Sequence, residues 1–139
     1  MIREFSAGGV CVRRFRGREF VAAVRVKDGT VLALPKGHID AGESSAEAAA
    51  RELREEAGVR GELLGKLGDV RYWYSRDGER VMKNVAFYLF RYRSGSVRDH
   101  DHEVDGAEWV PLEEAPDRLA YRGERDMAEA AVRTLGAGR

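Results

Sequence analysis

The segment from Gly37 to Val59 constrains the fold strongly, because it specifies both ends of one helix. Ser44 and Glu47 have the spacing of a capping box, which predicts that a helix begins just after Ser44. The residues that follow are rich in Ala, Glu, Leu and Arg, all of which favour helix. Gly58 suits the left-handed position that ends many helices. The sequence therefore predicts a helix over Ala46 to Ala57.

Carboxylates are expected to crowd one face of this helix. Glu52, Glu55 and Glu56 are related by i,i+3 and i,i+4, so their side chains share one side. The predicted apolar stripe beside them consists of Ala46, Ala49, Ala50, Leu53 and Ala57. Clustered carboxylates repel one another unless a cation lies among them, and Mg²⁺ prefers oxygen ligands. A solvated, charge-laced helix is the simpler alternative, but it does not explain the upstream spacing of Gly37 and Glu43.

The whole segment resembles the Nudix box, the signature of the MutT/Nudix hydrolases. The family pattern is Gly, five residues, Glu, seven residues, and then Arg-Glu-apolar-any-Glu-Glu-any-Gly-apolar. Gly37, Glu43 and the run from Arg51 to Val59 fill every position of that pattern. The resemblance implies the Nudix fold, an α/β/α sandwich with a mixed central β-sheet. It also implies hydrolysis of a nucleoside diphosphate derivative.

Composition is compatible with one domain of this kind. The chain has 139 residues, 43% of them hydrophobic and 35% charged, and its formal net charge is zero. That charge balance argues against a general nucleic-acid binder. The single cysteine, Cys11, fits a reducing compartment, and neither a membrane-spanning run nor a signal peptide is evident. We expect one Nudix domain over residues 1–139 with a flexible tail at 136–139, in the cytoplasm, with no membrane or nucleic-acid partner and an undefined oligomeric state.

Strand and helix patterns alternate along the chain. The predicted strands are Ala7–Phe15, Glu19–Val26, Thr30–Leu34, Gly61–Ser75, Glu79–Tyr92 and Ala107–Val110. The run Val85–Phe90 is apolar throughout, which is typical of a strand buried on both faces. A C-terminal helix is predicted over Glu124–Leu135. Its inward residues are expected to be Met127, Ala131, Val132 and Leu135. This order predicts an α/β fold with helices packed on both faces of a mixed sheet.

The resemblance assigns a metal site to the helix. It implies that Glu52, Glu55 and Glu56 are metal ligands, and that the carbonyl oxygen of Gly37 is a further ligand. The expected ion is Mg²⁺, with Mn²⁺ as a possible substitute. Such an ion offsets the charge of a phosphate chain and lowers the pKa of a bound water. Glu52 is our first choice for the base that accepts the proton of the attacking water, with another of these glutamates or a base outside the box as the alternatives.

Supporting roles in catalysis follow for residues around the ligands. The resemblance implies that Glu43 and Arg51 orient the site, Arg51 by pairing with a carboxylate. Glu103 stands where many family members carry another acidic metal ligand or base. A solvated loop residue is an equally good interpretation of Glu103.

Basic residues near the box are candidates for binding substrate. Lys36 lies in the run Leu34–His38, which resembles the corresponding loop of dinucleoside polyphosphate hydrolases and diphosphoinositol phosphatases. We favour a phosphate contact for Lys36 over a merely solvated lysine. Arg25 and Lys83 are weaker candidates of the same kind.

An aromatic cluster follows the box and bears on the choice of substrate. In a strand, Tyr72 and Tyr74 share one face and Trp73 takes the other. Stacking on a nucleobase and ordinary packing are equally good interpretations of the two tyrosines, whereas packing is favoured for Trp73. Together with residues 78–80 and Lys83, this cluster resembles the pattern of bacterial diadenosine tetraphosphate hydrolases.

Three functions therefore remain open. The first is an Mg²⁺-dependent hydrolase of diadenosine tetraphosphate, releasing ATP and AMP. The second is a nucleoside triphosphate pyrophosphohydrolase of the MutT type, which cleanses the nucleotide pool and releases pyrophosphate. The third is a non-catalytic Nudix module that binds nucleotide. The intact Glu55 and Glu56 argue against the third, since binding alone would not need them.

Overall fold

A computed structural model of the chain describes residues 1–137 as a seven-stranded mixed sheet with helices on both faces. The strands are β1 Ile2–Phe15, β2 Arg18–Val26, β3 Val31–Ala33, β4 Lys36–His38, β5 Val59–Arg76, β6 Glu79–Gly95 and β7 Gly106–Pro111. The helices are α1 Ser45–Ala57, α2 Ala115–Arg118 and α3 Arg122–Ala137, with 3₁₀ turns at Val97–Asp99 and Leu112–Glu114. Over residues 1–137, no helix is both long enough and apolar enough to cross a membrane.

Strand β1 organises the sheet. It pairs in parallel with β6 from Ile2 to Val12, and β6 pairs antiparallel with β5. The other edge of β1 splits, because residues 6–8 pair with β4 and residues 12–15 pair with β2. Strand β2 then continues to β3 and β7. The split brings the short strand β4, and with it Gly37, beside the middle of the sheet.

Both faces of the sheet are covered, as predicted. Side chains alternate along β1, so Val10 and Val12 belong to one apolar cluster and Ala7 and Cys11 to the other. The first cluster includes Ala128 and Ala131 of α3, and the second includes Ala48, Ala49, Leu53 and Ala57 of α1. The α/β architecture and the two-sided packing of helices are therefore confirmed.

Buried strand residues confirm the prediction for Val85–Phe90 and define the surroundings of the single cysteine. Every residue of the run Val85–Phe90 except Tyr88 is at most 5% exposed, so this part of β6 is covered on both faces. The Cys11 side chain is fully buried, and burial raises the pKa of its thiol to about 12. Cys11 therefore packs as a small hydrophobic residue with a protonated thiol.

Helix α1 has the caps that the sequence predicts. The Ser44 hydroxyl accepts the Glu47 N–H at 3.1 Å, and the Glu47 carboxylate accepts the Ser44 N–H at 2.9 Å. Gly58 is left-handed, with a φ of 75°, and its N–H donates to the Arg54 carbonyl. Both ends of this helix are thus determined by residues close in sequence.

The predicted apolar stripe of α1 was partly wrong. Ala48 is buried where Ala50 was expected, and Ala46 is only half-buried. The buried face is centred one position earlier than the apolar pattern indicates. Ala48 and Glu52 are one helical turn apart, so this rotation also carries Glu52 against the sheet.

Helix α3 and several strand ends differ from the sequence prediction. Val132 is 42% exposed, whereas Ala128 is fully buried, because the face that contacts the sheet follows Ala128 and Ala131. Strand β1 begins at Ile2 because its first residues pair with β6. Strand β6 runs to Gly95, beyond the predicted end at Tyr92, and a 3₁₀ turn follows it at Val97–Asp99. Of the predicted tail at 136–139, residues 136 and 137 are helical and 138–139 lie outside the described residues.

Candidate active site

Two carboxylates of α1 meet the short strand β4. Glu52 is only 7% exposed, and its carboxylate packs directly on Gly37. A Cβ atom at residue 37 would overlap this carboxylate, so glycine is required for the close approach. Glu56 accepts the backbone N–H of Lys36 at 3.0 Å. The helix thus presents oxygen ligands at the point where the backbone of β4 is accessible.

Arg51 ties the remaining residues of the box together. Its guanidinium makes a bidentate pair with Glu43, at 2.6 Å from Nε and 3.0 Å from Nη2. Nη1 donates to Glu52 at 2.7 Å and to Glu55 at 3.2 Å, and Nη2 donates to the His38 carbonyl at 2.9 Å. This geometry matches the predicted pairing of Arg51 with carboxylates. It fixes the carboxylates to the loop that follows β4.

Hydrogen bonds and burial shift the pKa values of the acidic residues in opposite directions. The hydrogen bonds from Arg51, and then the Asp40 N–H, lower the pKa of Glu43 to about 2. Burial raises the pKa of Glu56 to about 7, against the opposing hydrogen bond from Lys36. Burial also raises the pKa of Glu52, against the hydrogen bond from Arg51. A buried carboxylate with a raised pKa is suited to accept a proton near neutral pH.

The loop before β7 brings a further acid towards the helix. The Asp101 N–H donates to the Glu55 carbonyl at 2.8 Å, which attaches the loop to the last turns of α1. Asp101 in turn accepts the Glu103 N–H at 3.0 Å. The charge of Glu103 contributes to the raised pKa of Glu52, so the two carboxylates are close enough to repel. Glu103 remains exposed to solvent.

These residues fit a magnesium ion by the chemistry of their donors. Among residues 1–137, no three His, Cys, Asp or Glu side chains are close enough to enclose a metal ion by themselves. Mg²⁺ does not need such a cage, because it is commonly bound by one or two carboxylates, with waters and substrate phosphates completing its shell. Glu52 and Glu56 are half or more buried beside the Gly37 backbone, and they supply oxygen donors only.

A pocket of about 650 Å³ opens on the other side of β4, between β5, β6 and the start of α3. Its polar and aromatic lining includes Lys36, Arg71, Tyr72, Tyr121, Arg122 and Glu124. The Lys36 ammonium lies 5.1 Å from the centre of the Tyr121 ring and 2.6 Å from Glu124. Cationic and aromatic groups in one cleft suit an anionic ligand with a flat ring system.

The aromatic cluster of β5 is divided as its alternation predicts. The Tyr72 and Tyr74 rings are neighbours, with centroids 6.3 Å apart, and the Tyr74 hydroxyl bonds Glu4. Trp73 is 47% exposed, so it does not pack in the core, and its packing is only across the strands. Its ring instead lies under the Arg80 guanidinium, at 4.4 Å from the ring centroid.

The three basic candidates lie in different surroundings. Lys36 reaches the pocket, as described above. Lys83 is half-buried and is the cross-strand partner of Tyr72, so it shares the face of that tyrosine. Arg25 pairs with Glu108 on β7 at 2.5 Å and does not line the pocket.

Sequence reasoning missed the contribution of α3 to this pocket. Tyr121, Arg122 and Glu124 are about 85 residues beyond Lys36, and no local motif links them. One signal was available, because Glu124 occupies the same helical face as the buried Ala128 and Ala131. An acidic residue on the apolar face of a helix indicates a buried partner.

Comparison with known proteins identifies the family. The NUDIX domain model matches residues 3–131. The chain belongs to the Nudix family. This finding confirms the family and the fold that the Nudix box implied.

Curated relatives of this Nudix domain fall into more than one functional group. It is 43% identical to MutT4 of Mycobacterium tuberculosis over 136 residues, which cover 94% of this chain and 55% of MutT4. The chain thus spans about half the length of that relative. It is 30% identical to an asymmetrical bis(5'-nucleosyl)-tetraphosphatase of Caenorhabditis elegans, covering 79% of this chain and 80% of the relative.

Solved structures support the fold. The Ap4A hydrolase of C. elegans, in a binary complex, superposes with a TM-score of 0.72 at 22% sequence identity. The match covers 96% of this chain and 98% of that chain. At this identity the likeness concerns the Nudix fold alone.

Proposed function

We propose that this Nudix domain is an Mg²⁺-dependent hydrolase that cleaves a phosphoanhydride bond of a nucleotide by attack of water. We further propose that diadenosine tetraphosphate is the substrate and that ATP and AMP are the products. The observation that carries the proposal is that Lys36 links the two regions. Its backbone N–H donates to Glu56, and the residue also lines the pocket that contains Tyr72 and Tyr121.

The α1 residues would hold the ion. Glu52, Glu55 and Glu56 are the proposed ligands, and Mn²⁺ would substitute for Mg²⁺. The Gly37 carbonyl and Glu103 are the proposed additional ligands. Once bound, the ion would offset phosphate charge and lower the pKa of a water molecule.

Protein groups would carry the proton. Glu52 Oε1 accepts the hydrogen bond from Arg51, which leaves Oε2 free to accept the proton of the attacking water. Glu43 would act through Arg51, since its bidentate pair keeps the guanidinium in place.

The pocket would bind a nucleoside and its adjoining phosphates. Tyr72 and Tyr121 lie on its walls and can stack on a nucleobase. Lys36, Arg71 and Arg122 line the same pocket and would supply positive charge for the adjoining phosphates. The C. elegans tetraphosphatase relative, which this chain covers over most of its length, supports a dinucleoside polyphosphate as substrate.

A second candidate is hydrolysis of a nucleoside triphosphate to the monophosphate and pyrophosphate. The 43% identity to MutT4 supports this reading. Both candidates use the same carboxylates and the same nucleoside pocket. They differ in the group at the far end of the phosphate chain. Diadenosine tetraphosphate carries a second nucleoside there and releases ATP and AMP, whereas a nucleoside triphosphate carries none and releases pyrophosphate.

Product analysis separates the candidates. Diadenosine tetraphosphate, nucleoside triphosphates and ADP-ribose would each be incubated with the protein and Mg²⁺ in ¹⁸O-labelled water. We expect diadenosine tetraphosphate to be the best substrate, with ATP and AMP as products, one of them labelled, and no reaction in chelator. Release of pyrophosphate from a triphosphate at a higher kcat/KM would establish the second candidate instead.

A pair of matched variants tests whether turnover depends on the carboxylates of α1. Glu56→Gln should abolish turnover while Glu129→Gln, an exposed residue of α3, should leave it unchanged. If Glu56→Gln turned over substrate like the wild type, the proposed use of the α1 carboxylates would be wrong. If no substrate reacted but nucleotide still bound, the domain would be a binding module.

A further inference from the structure

Glu124 is a buried carboxylate that the proposed hydrolysis does not use. It is 3% exposed and lies in the first turn of α3, where the helix dipole favours a negative charge. One carboxylate oxygen accepts the Leu34 N–H at 2.7 Å, and the other contacts the Lys36 ammonium at 2.6 Å. Both contacts reach the segment that immediately precedes Gly37.

Lys36 connects this carboxylate to the α1 site. Its backbone N–H donates to Glu56 at 3.0 Å, while its side chain runs to Glu124 on the pocket side of β4. The side chain is 25% exposed, and its ammonium faces the Tyr121 ring at 5.1 Å. A single residue therefore contacts a proposed metal ligand, the pocket and α3.

We infer that Glu124 is a positioning residue, which holds the Lys36 ammonium at the boundary between the nucleoside pocket and the α1 carboxylates. This inference rests on the proposed function, because it assigns Lys36 to the phosphate nearest the nucleoside. An ammonium has three N–H donors. Glu124 takes one of them and leaves the others for oxygen atoms of the substrate.

The ion pair between Lys36 and Glu124 is better explained by its effect on the position of the lysine than by its effect on the stability of the fold. A buried pair contributes little net stability, because removing both charges from water offsets their attraction. A lysine side chain is long and flexible, however, and binding a phosphate with a free lysine costs side-chain entropy. A lysine already held by Glu124 has lost that freedom before the substrate arrives.

The simplest alternative role for Glu124 is structural: it would only accept the hydrogen bond from the Leu34 N–H. Glu124→Gln distinguishes the two roles, because an amide oxygen can still accept the Leu34 N–H but no longer pairs with an ammonium. The matched control is Glu129→Gln, the same chemical change at an exposed position of the same helix.

Binding of AMP and GMP would be measured by calorimetry in the presence of chelator, so that no turnover is required. Glu124→Gln should weaken binding of whichever nucleotide the wild type prefers by about tenfold, as expected for loss of a charge-assisted contact. Glu129→Gln should bind like the wild type. Lys36→Met should weaken binding similarly, and adding Glu124→Gln to Lys36→Met should have no further effect.

Steady-state kinetics of the same variants provide a second, independent test. Because Lys36 is assigned to binding, Glu124→Gln should raise KM about tenfold and leave kcat within about twofold. Should this variant fold poorly, Glu124→Asp keeps the charge on a shorter side chain and should give intermediate binding at normal thermal stability.

Several results would overturn the inference. These are wild-type nucleotide affinity in Glu124→Gln, additive effects of the Lys36 and Glu124 substitutions, and failure of the wild type to bind either nucleotide in chelator. Failure of the hydrolase proposal is recognised separately, because nucleotide would still bind in a Glu124-dependent manner while no substrate was cleaved.

Discussion

Replacing Gly37 with alanine should remove activity without unfolding the protein. The added Cβ would overlap the carboxylate carbon and both carboxylate oxygens of Glu52. These atoms end a flexible side chain, so they can move, whereas the backbone of Gly37 is not left-handed and accepts alanine. The substitution is therefore expected to displace the Glu52 carboxylate and to leave the backbone of β4 in place.

The expected magnitudes differ for stability and for catalysis. Alanine restricts the unfolded chain by up to about 1 kcal/mol, which offsets much of the cost of moving Glu52. We expect Tm to change by less than about 4 °C. A displacement of about 1 Å at a reacting group can lower the rate about 100-fold, so kcat should fall by at least that factor.

The assay compares kcat on diadenosine tetraphosphate with Tm from calorimetry. Gly106→Ala is the matched control, because a Cβ at this strand position meets its nearest neighbour, the Arg25 side chain, at an ordinary 4.0 Å. The control should keep wild-type activity. Wild-type kcat in Gly37→Ala would show that the contact between Glu52 and Gly37 has no role in the reaction.

Other perturbations test the electrostatics and the core. The folded-state pKa of Glu56, about 7, lies above the value of 4.5 expected in the unfolded chain, so its contribution to stability is present below pH 4.5 and lost as pH rises through 7. In chelator, Glu56→Gln should therefore have a higher Tm than the wild type at pH 8, and equal Tm values there would contradict the buried position of Glu56. The folded-state pKa of Glu43 is lowered to about 2, so its contribution is present above pH 4.5 and lost as pH falls towards 2. Glu43→Gln should flatten the acid limb of a Tm-against-pH curve, and an unchanged limb would count against the pair with Arg51. The Cys11 thiol, with a pKa of about 12, should resist a thiol reagent at pH 8 until urea unfolds the chain. Rapid labelling of the native protein would place Cys11 outside the core.

Local sequence determines α1 and much of its chemistry. The capping box at Ser44, the left-handed Gly58 and the spacing of Arg51 from its carboxylates all act within a few turns of helix. For that reason the helix and the face with Glu52 and Glu56 could be predicted before the structure was known. The rotation that buries Ala48 depends on contact with the sheet, and so it could not.

Long-range contacts account for what the sequence did not reveal. Strand β4 has only three residues and exists because it pairs with β1 across the split edge of the sheet. The pocket combines Lys36 with Tyr121 and Glu124, which meet only when α3 packs against the sheet.

A titration of Mn²⁺ followed by electron paramagnetic resonance would show whether the α1 carboxylates bind a divalent ion. We expect the wild type to bind Mn²⁺ in competition with Mg²⁺, and we expect Glu52→Gln and Glu56→Gln to weaken that binding at least about tenfold, because mutating a ligand removes a charged oxygen donor. Wild-type Mn²⁺ affinity in both variants would mean that the ion binds elsewhere, and that the carboxylates gathered at β4 do not form the metal site.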